Sequence, residues 1–180
     1  MFLWIGLGIE KLTEKEIRDY CKNLNLLYNV NEQSFTLPQH ISLKTSFSVE
    51  NYNDIVYFFK EKFKNNKKIN LSIKKVDKVS GVIWLELDET LELRNYHNEI
   101  VNNLKKHFNI DKAKYDGDDF KFHSTLFQDI ENEDKIDNLY NNIDKKLFQN
   151  KKIVADKIYF GISEVGKVGT YKVIDQLNLK

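Results

Sequence analysis

The chain has 180 residues, of which 41% are hydrophobic and 31% charged, with a formal net charge of +1. This composition describes a globular protein large enough for one domain, or two small lobes, around a real core. So even a charge balance excludes the broad basic field on which sequence-independent binding of long nucleic acid relies, and a single cysteine excludes both a disulfide framework and a cysteine zinc cluster.

Met1–Ile9 is apolar but too short to cross a membrane, and it lacks the basic start and cleavage site of a signal peptide. Phe2–Ile9 reads as a buried first strand. Thr13 and Glu16 have the spacing of a capping box, which opens a helix carrying Ile17, Tyr20, Cys21 and Leu24 at i, i+3, i+4 and i+7. Cys21 lies on that stripe, which makes it a small core residue rather than a nucleophile. A turn-rich stretch through Asn29, Asn31 and Ser34 leads into an extended segment over residues 35–47, with Pro38 at its start or on an edge because proline cannot donate to a ladder. A helix follows over residues 50–65, its face formed by Tyr52, Ile55, Val56, Phe59 and Phe63. Ile69, Leu71 and Ile73 alternate with polar residues as a strand, and Ser80-Gly81 turns it into a partner over residues 82–88 that carries Trp84.

The second half repeats the plan. Residues 91–108 form a helix with Leu93, His97, Ile100, Val101, Leu104 and Phe108 on its stripe, which makes His97 a core-edge histidine; His107 falls in the last turn, where a cation favours the helix dipole. A polar loop around Asp116-Gly117 lacks the ligand spacing of a calcium site. A second extended segment, 121–129, precedes a helix with Ile136, Leu139, Tyr140, Ile143 and Leu147 on one face. The chain closes with a hairpin pairing residues 152–163 with 169–179, its tip basic at Lys167.

The chemistry concentrates in the two extended segments. Gln39-His40-Ile41-Ser42-Leu43 and Phe122-His123-Ser124-Thr125-Leu126 share the form His-x-Ser/Thr-apolar. Residues two apart in a strand point the same way, ~7 Å apart. Each motif therefore delivers one imidazole and one hydroxyl to a surface, with its apolar neighbours facing inward. On the same alternation Lys44 continues the His40–Ser42 face, as a cation for a phosphate or a solvated strand end, and Phe127 the His123–Thr125 face, as a ring for a base or packing in the cleft wall.

These paired motifs resemble those of the two-histidine (2H) phosphoesterases, in particular the 2′-5′ RNA ligase-like RNA 2′,3′-cyclic phosphodiesterases. The resemblance extends to the opening strand Phe2-Leu3-Trp4-Ile5-Gly6-Leu7, the helix start at Thr13-Glu14-Lys15-Glu16-Ile17, the strand Ser80-Gly81-Val82-Ile83-Trp84-Leu85 and the hairpin Gly169-Thr170-Tyr171-Lys172-Val173. It implies a bilobal, pseudo-symmetric α+β fold, with two antiparallel sheets flanking a central cleft and helices outside. The whole chain, 1–180, would then be one domain duplicated at approximately 1–90 and 91–180. It also implies substrate contacts around the last hairpin, favouring Lys167 and Tyr171. The chain departs from the relatives at Ser42, where threonine is commoner, and at Gln128 and Asp129, where many RNA-acting relatives carry an arginine.

Histidine titrates near neutrality and suits both proton transfers of phosphodiester cleavage. The expectation is a phosphodiesterase in which His40 and His123 exchange protons while Ser42 and Thr125 steady the non-bridging oxygens, with no metal or other cofactor. Lys44, Phe127, Lys167 and Tyr171 are the expected substrate contacts. The expected partner is an RNA end, a short oligonucleotide or a cyclic nucleotide, and the protein is expected to be a cytoplasmic monomer with no membrane contact. A 2′,3′-cyclic phosphate is the leading substrate. A 2′-5′-linked or cyclic oligonucleotide signal is the second, and a module that binds RNA ends without turnover is the third reading.

Overall fold

The computed structural model describes residues 1–29, 35–128 and 132–180; Asn31 and Ser34 of the expected turn, and Asp129, lie outside them. In chain order the elements are β1 (Phe2–Ile9), α1 (Lys11–Tyr28), β2 (His40–Ser48), α2 (Asn53–Phe63), β3 (Ile69–Val79), β4 (Val82–Leu87), α3 (Leu91–Phe108), β5 (His123–Phe127), α4 (Glu133–Asn142), a 3₁₀ turn (Lys145–Leu147), β6 (Lys152–Ser163) and β7 (Lys172–Asn178). Every pairing is antiparallel. The two expected sheets are joined: the order is β2-β1-β6-β3-β4-β5, with β7 on the other side of β6. The joint is β3, whose residues 69–72 pair with β6 and whose remainder pairs with β4.

That order maps onto itself when β1, β2 and β3 are exchanged with β4, β5 and β6. The run strand, helix, motif strand, helix, strand occurs twice among the described residues, the second time from β4 at Val82, and each run is called a unit below. Each unit gives its last strand to the other: β6 pairs with β1, and β3 with β4. The helices cross over as well, α3 packing on β2 and α1 on β5, so each motif strand is backed by the helix of the opposite unit.

The core runs along the whole sheet, from Leu3, Ile5 and Leu7 of β1 through Phe59 and Phe63 of α2 to Leu93, Ile100 and Leu104 of α3 and Phe160 of β6, all essentially inaccessible to solvent. Cys21 is buried in it, and burial pushes its thiol up to about 12. Two helix ends differ from the sequence pattern. Helix α1 starts at Lys11 with Glu10 before it; Thr13 sits inside the first turn, and its hydroxyl donates to the Glu10 carboxylate at 3.1 Å instead of capping. Helix α4 stops at Asn142 because Ile143 is already extended. Leu147 is therefore 47% exposed, and Phe148 takes the buried position instead. Where helices are capped by side chains the usual residues do it: Thr90 accepts from Leu93 N on α3, and Asn132 from Lys135 N on α4.

Candidate active site

Both motif strands begin at their histidine, and the backbone just before each strand fixes the ring. His40 Nδ1 lies 2.7 Å from the Pro38 carbonyl, and His123 Nδ1 lies 2.8 Å from the Lys121 carbonyl. A carbonyl only accepts, so Nδ1 carries a proton in both rings, and Nε2 is the nitrogen left to take or give one. Neither Nε2 has a hydrogen-bond partner among the described residues. His40, Ser42, His123 and Thr125 all line one cavity of about 700 Å³.

The strands meet directly. Ser124 Oγ donates to the His40 carbonyl at 2.7 Å. Gln39 Nε2 donates to both Ser124 Oγ and the Thr125 carbonyl, each at 2.7 Å. Residue 124 is thus bonded to residue 40 across the junction, which brings the two imidazoles to one cavity. Burial pushes the half-buried His40 down to about 4; the Pro38 carbonyl opposes this, and His123 adds to it. Burial also lowers His123, and the Lys121 carbonyl partly offsets it.

Two tryptophans bracket the pair in different ways. Trp84 of β4 stands opposite Thr125 in the ladder and stacks on His123, with centroids 4.3 Å apart and planes 30° apart. Trp4 of β1 meets His40 edge-on, at 4.3 Å and 66°, and its Nε1 donates to Ser42 Oγ at 3.1 Å. Gly6, not a tryptophan, stands opposite Ser42. Trp4 reaches His40 by lying over Gly6 and Gly161, where an added Cβ would come within 2.5 and 2.6 Å of the indole.

A family model described as the 2′-5′ RNA ligase superfamily matches residues 26–164. The chain belongs to the 2′-5′ RNA ligase superfamily. Among solved structures it is similar to TT0787 of Thermus thermophilus (TM-score 0.69, 11% identity, covering 99% of this chain and 98% of that one). It is also similar to Escherichia coli LigT complexed with 3′-AMP (0.65, 14%, 99% and 97%) and to Kluyveromyces marxianus Usb1 (0.53, 15%, 99% and 98%). No curated protein matches the sequence. These likenesses establish the 2H phosphoesterase fold.

Within that fold, two of the expected substrate contacts are misplaced, and for one reason. The ladder runs Gly6↔Ser42 and then Ile5↔Lys44, and Trp84↔Thr125 and then Ile83↔Phe127. Leu43 and Leu126 are extra residues, a β-bulge at the same place in each motif, and a bulge reverses the alternation beyond it. Lys44 therefore points away from the cleft. It is 1% exposed and paired with buried Asp116 at 2.5 Å. Thr45 lines the cavity in its place. Phe127 is wholly buried, edge-on to Phe35 at 5.9 Å, and Gln128 lines the cavity beyond it.

Asp116 accepts further bonds from Ala113 N at 2.8 Å and from Thr45 N and Oγ1 at 3.2 and 2.9 Å. Burial would raise its carboxyl, but these bonds and the Lys44 ammonium hold it below the ordinary range. The polar loop around Asp116 is thereby bound to the back of β2, and its Tyr115, Asp119 and Phe120 line the cleft. His97 is a buried structural residue: its Nδ1 bonds the carbonyl of bulge residue Leu43 at 2.8 Å, and its ring stacks on Phe120 at 4.3 Å. Lys167 is exposed at the hairpin tip and does not line the cavity, whereas Val168, Gly169 and Tyr171 do. Among the described residues no three or more histidine, cysteine or acidic side chains gather as a metal site, and no helix is long and apolar enough to cross a membrane.

Sequence reasoning missed Trp4, Gln39, Thr45 and Tyr115. Trp4-x-Gly6 was the one available signal, since a glycine two residues from a tryptophan on the same strand face leaves room for the indole to lie flat.

Proposed function

We propose that the protein hydrolyses a 2′,3′-cyclic phosphate on an RNA end or a nucleotide, with His40 and His123 exchanging protons and Ser42 and Thr125 donating to the non-bridging oxygens. The observation that carries this is the matched pair of imidazoles. Each is fixed through Nδ1 by a backbone carbonyl, and each leaves Nε2 for a ligand in the same cavity. One positioned ring takes a proton from the incoming water and the other gives one to the departing ribose oxygen; each such transfer is worth about 10²–10⁴-fold. Trp4 Nε1 occupies a lone pair of Ser42 Oγ, which leaves that hydroxyl proton free to donate to a phosphate oxygen as charge builds there. Among the described residues Lys121 is the only lysine or arginine lining the cleft, and hydroxyl stabilisation of this kind suits a strained cyclic phosphate. A short substrate fits better than long RNA, because Lys44 is committed to Asp116 and the net charge is close to zero.

The test is turnover of 2′,3′-cyclic nucleotides, 2′-5′-linked dinucleotides and cyclic dinucleotides, with products resolved by isomer. The expected result is hydrolysis of the 2′,3′-cyclic substrates, activity surviving EDTA, and a loss of at least about 10²-fold in His40→Ala and in His123→Ala. Full activity in either single variant would end this account. Preference for the 2′-5′-linked or cyclic oligonucleotides would move the substrate assignment while keeping the chemistry.

A further inference from the structure

The two histidines have matching backbone anchors but unlike aromatic neighbours. Trp84 presents its face to His123, near-parallel at 4.3 Å, whereas the rings of Trp4 and His40 meet edge to face at 66°. An indole face carries negative charge density and favours a cation lying against it; an edge-to-face contact gives less of this. The stack is also held for its ring alone. Trp84 Nε1 is buried and finds no partner among the described residues, so its one polar atom does nothing for the fold, unlike Trp4 Nε1, which serves Ser42.

We propose that Trp84 is a positioning residue whose indole face holds the proton on His123, so that His123 is the general acid and His40 the general base. This rests on the phosphodiesterase reading above. In the step it implies, His40 Nε2 takes a proton from water as the water oxygen bonds to phosphorus. The bond from phosphorus to one ribose oxygen breaks, and that oxygen leaves with the proton from His123 Nε2. The pair ends with its protons reversed and is reset by exchange with solvent. The ionisable groups that face His123 fit the assignment. His40 lies across from it on β2, and Lys121 precedes it. Glu86 stands opposite it on β4, its carboxylate engaged by Lys74 at 2.8 Å and Lys75 at 3.5 Å. Asp119, Tyr115 and Tyr171 complete the same cavity. None of these presents an engaged carboxylate to the His123 ring, so the indole face is the favourable contact that a protonated His123 has and His40 lacks.

The experiment is an NMR titration of the histidine rings in the wild type and in Trp84→Leu, Trp84→Phe and Trp4→Leu, with the His123 signal assigned by its loss in His123→Gln. The expected result is a His123 titration about one pH unit lower in Trp84→Leu, an intermediate shift in Trp84→Phe, and no shift at His123 in Trp4→Leu. If the leucine variant does not fold, wild-type protein grown on fluorinated tryptophan keeps the ring's shape and weakens its face, and His123 should again titrate lower. An unchanged His123 in these folded proteins, or a larger change at His40, overturns the proposal. The same variants assayed on a 2′,3′-cyclic nucleotide separate the two levels. A chain that turns over nothing refutes the phosphodiesterase reading whatever the rings do. An alkaline limb of kcat/KM that stays fixed while His123 titrates lower refutes the assignment of His123 as acid.

Discussion

Replacing Lys44 by methionine separates a structural role from a substrate contact. The methionine keeps most of the side-chain volume and its packing on Phe47, whose ring lies 5.0 Å from the ammonium, but it strips Asp116 of its cation. Both side chains are essentially inaccessible, at 1% and 0% exposure, so the carboxylate is left charged and buried. Breaking a buried pair from one side costs about 3–5 kcal/mol; the bonds from Ala113 and Thr45 remain, which points to the low end, about 3 kcal/mol. For a chain of this size that is a fall in Tm of roughly 10 °C. The double variant Lys44→Met/Asp116→Asn should recover a good part of it, since a neutral amide can keep those donors. The sign with pH also differs. In the wild type the lowered Asp116 carboxyl contributes stability that is complete above the unfolded carboxyl range and lost as pH falls through the lower folded value. In Lys44→Met the uncompensated carboxyl rises, so the deficit against wild type should shrink as the solution is acidified. Thermal melts of the three proteins at several pH values measure all of this. A Lys44→Met protein with wild-type melting and a raised KM would refute the reasoning and return Lys44 to the cleft.

Two further outcomes follow from the strand junction. Ser124→Ala should cost about 1–3 kcal/mol in denaturant unfolding, because it strands the His40 carbonyl and one Gln39 donor in a buried seam; an unchanged midpoint would mean that water replaces the hydroxyl. His40 folds with its titration pushed down to about 4, so the unfolded chain binds the extra proton between that value and about 6.5, and stability is lost as pH falls through this window. His40→Gln should flatten the stability profile there by about 3 kcal/mol relative to wild type, and superimposable profiles would show that His40 is not desolvated.

The elements and the paired histidines were legible because both are local patterns. A period of two places His40 with Ser42 and His123 with Thr125, and a period near 3.6 locates α3 to the residue and α2 to within three. What failed was alternation carried one residue too far. Counting through a strand that contains an extra leucine puts Lys44 and Phe127 on the cleft face. In the second motif, consecutive Leu126 and Phe127 hint that alternation has stopped. In the first, Lys44 gives no such hint, because the carboxylate that draws it inward belongs to a loop of the other unit, far away in sequence. The different indole contacts were out of reach for a similar reason, since they depend on which residue of β1 or β4 stands opposite the hydroxyl, and that is a property of register.

The exchange of closing strands has a consequence for how the molecule comes apart. A fragment ending at Val79 would keep β1 and β2 but lack β6, leaving the backbone groups of β1 unpaired along one side. The complementary fragment would lack β3 and leave β4 in the same condition. Neither piece is expected to fold by itself. Mixed together, the two could regain a working cleft only by re-forming both crossed ladders at once, so unfolding is expected to be a single cooperative event with no half-folded survivor.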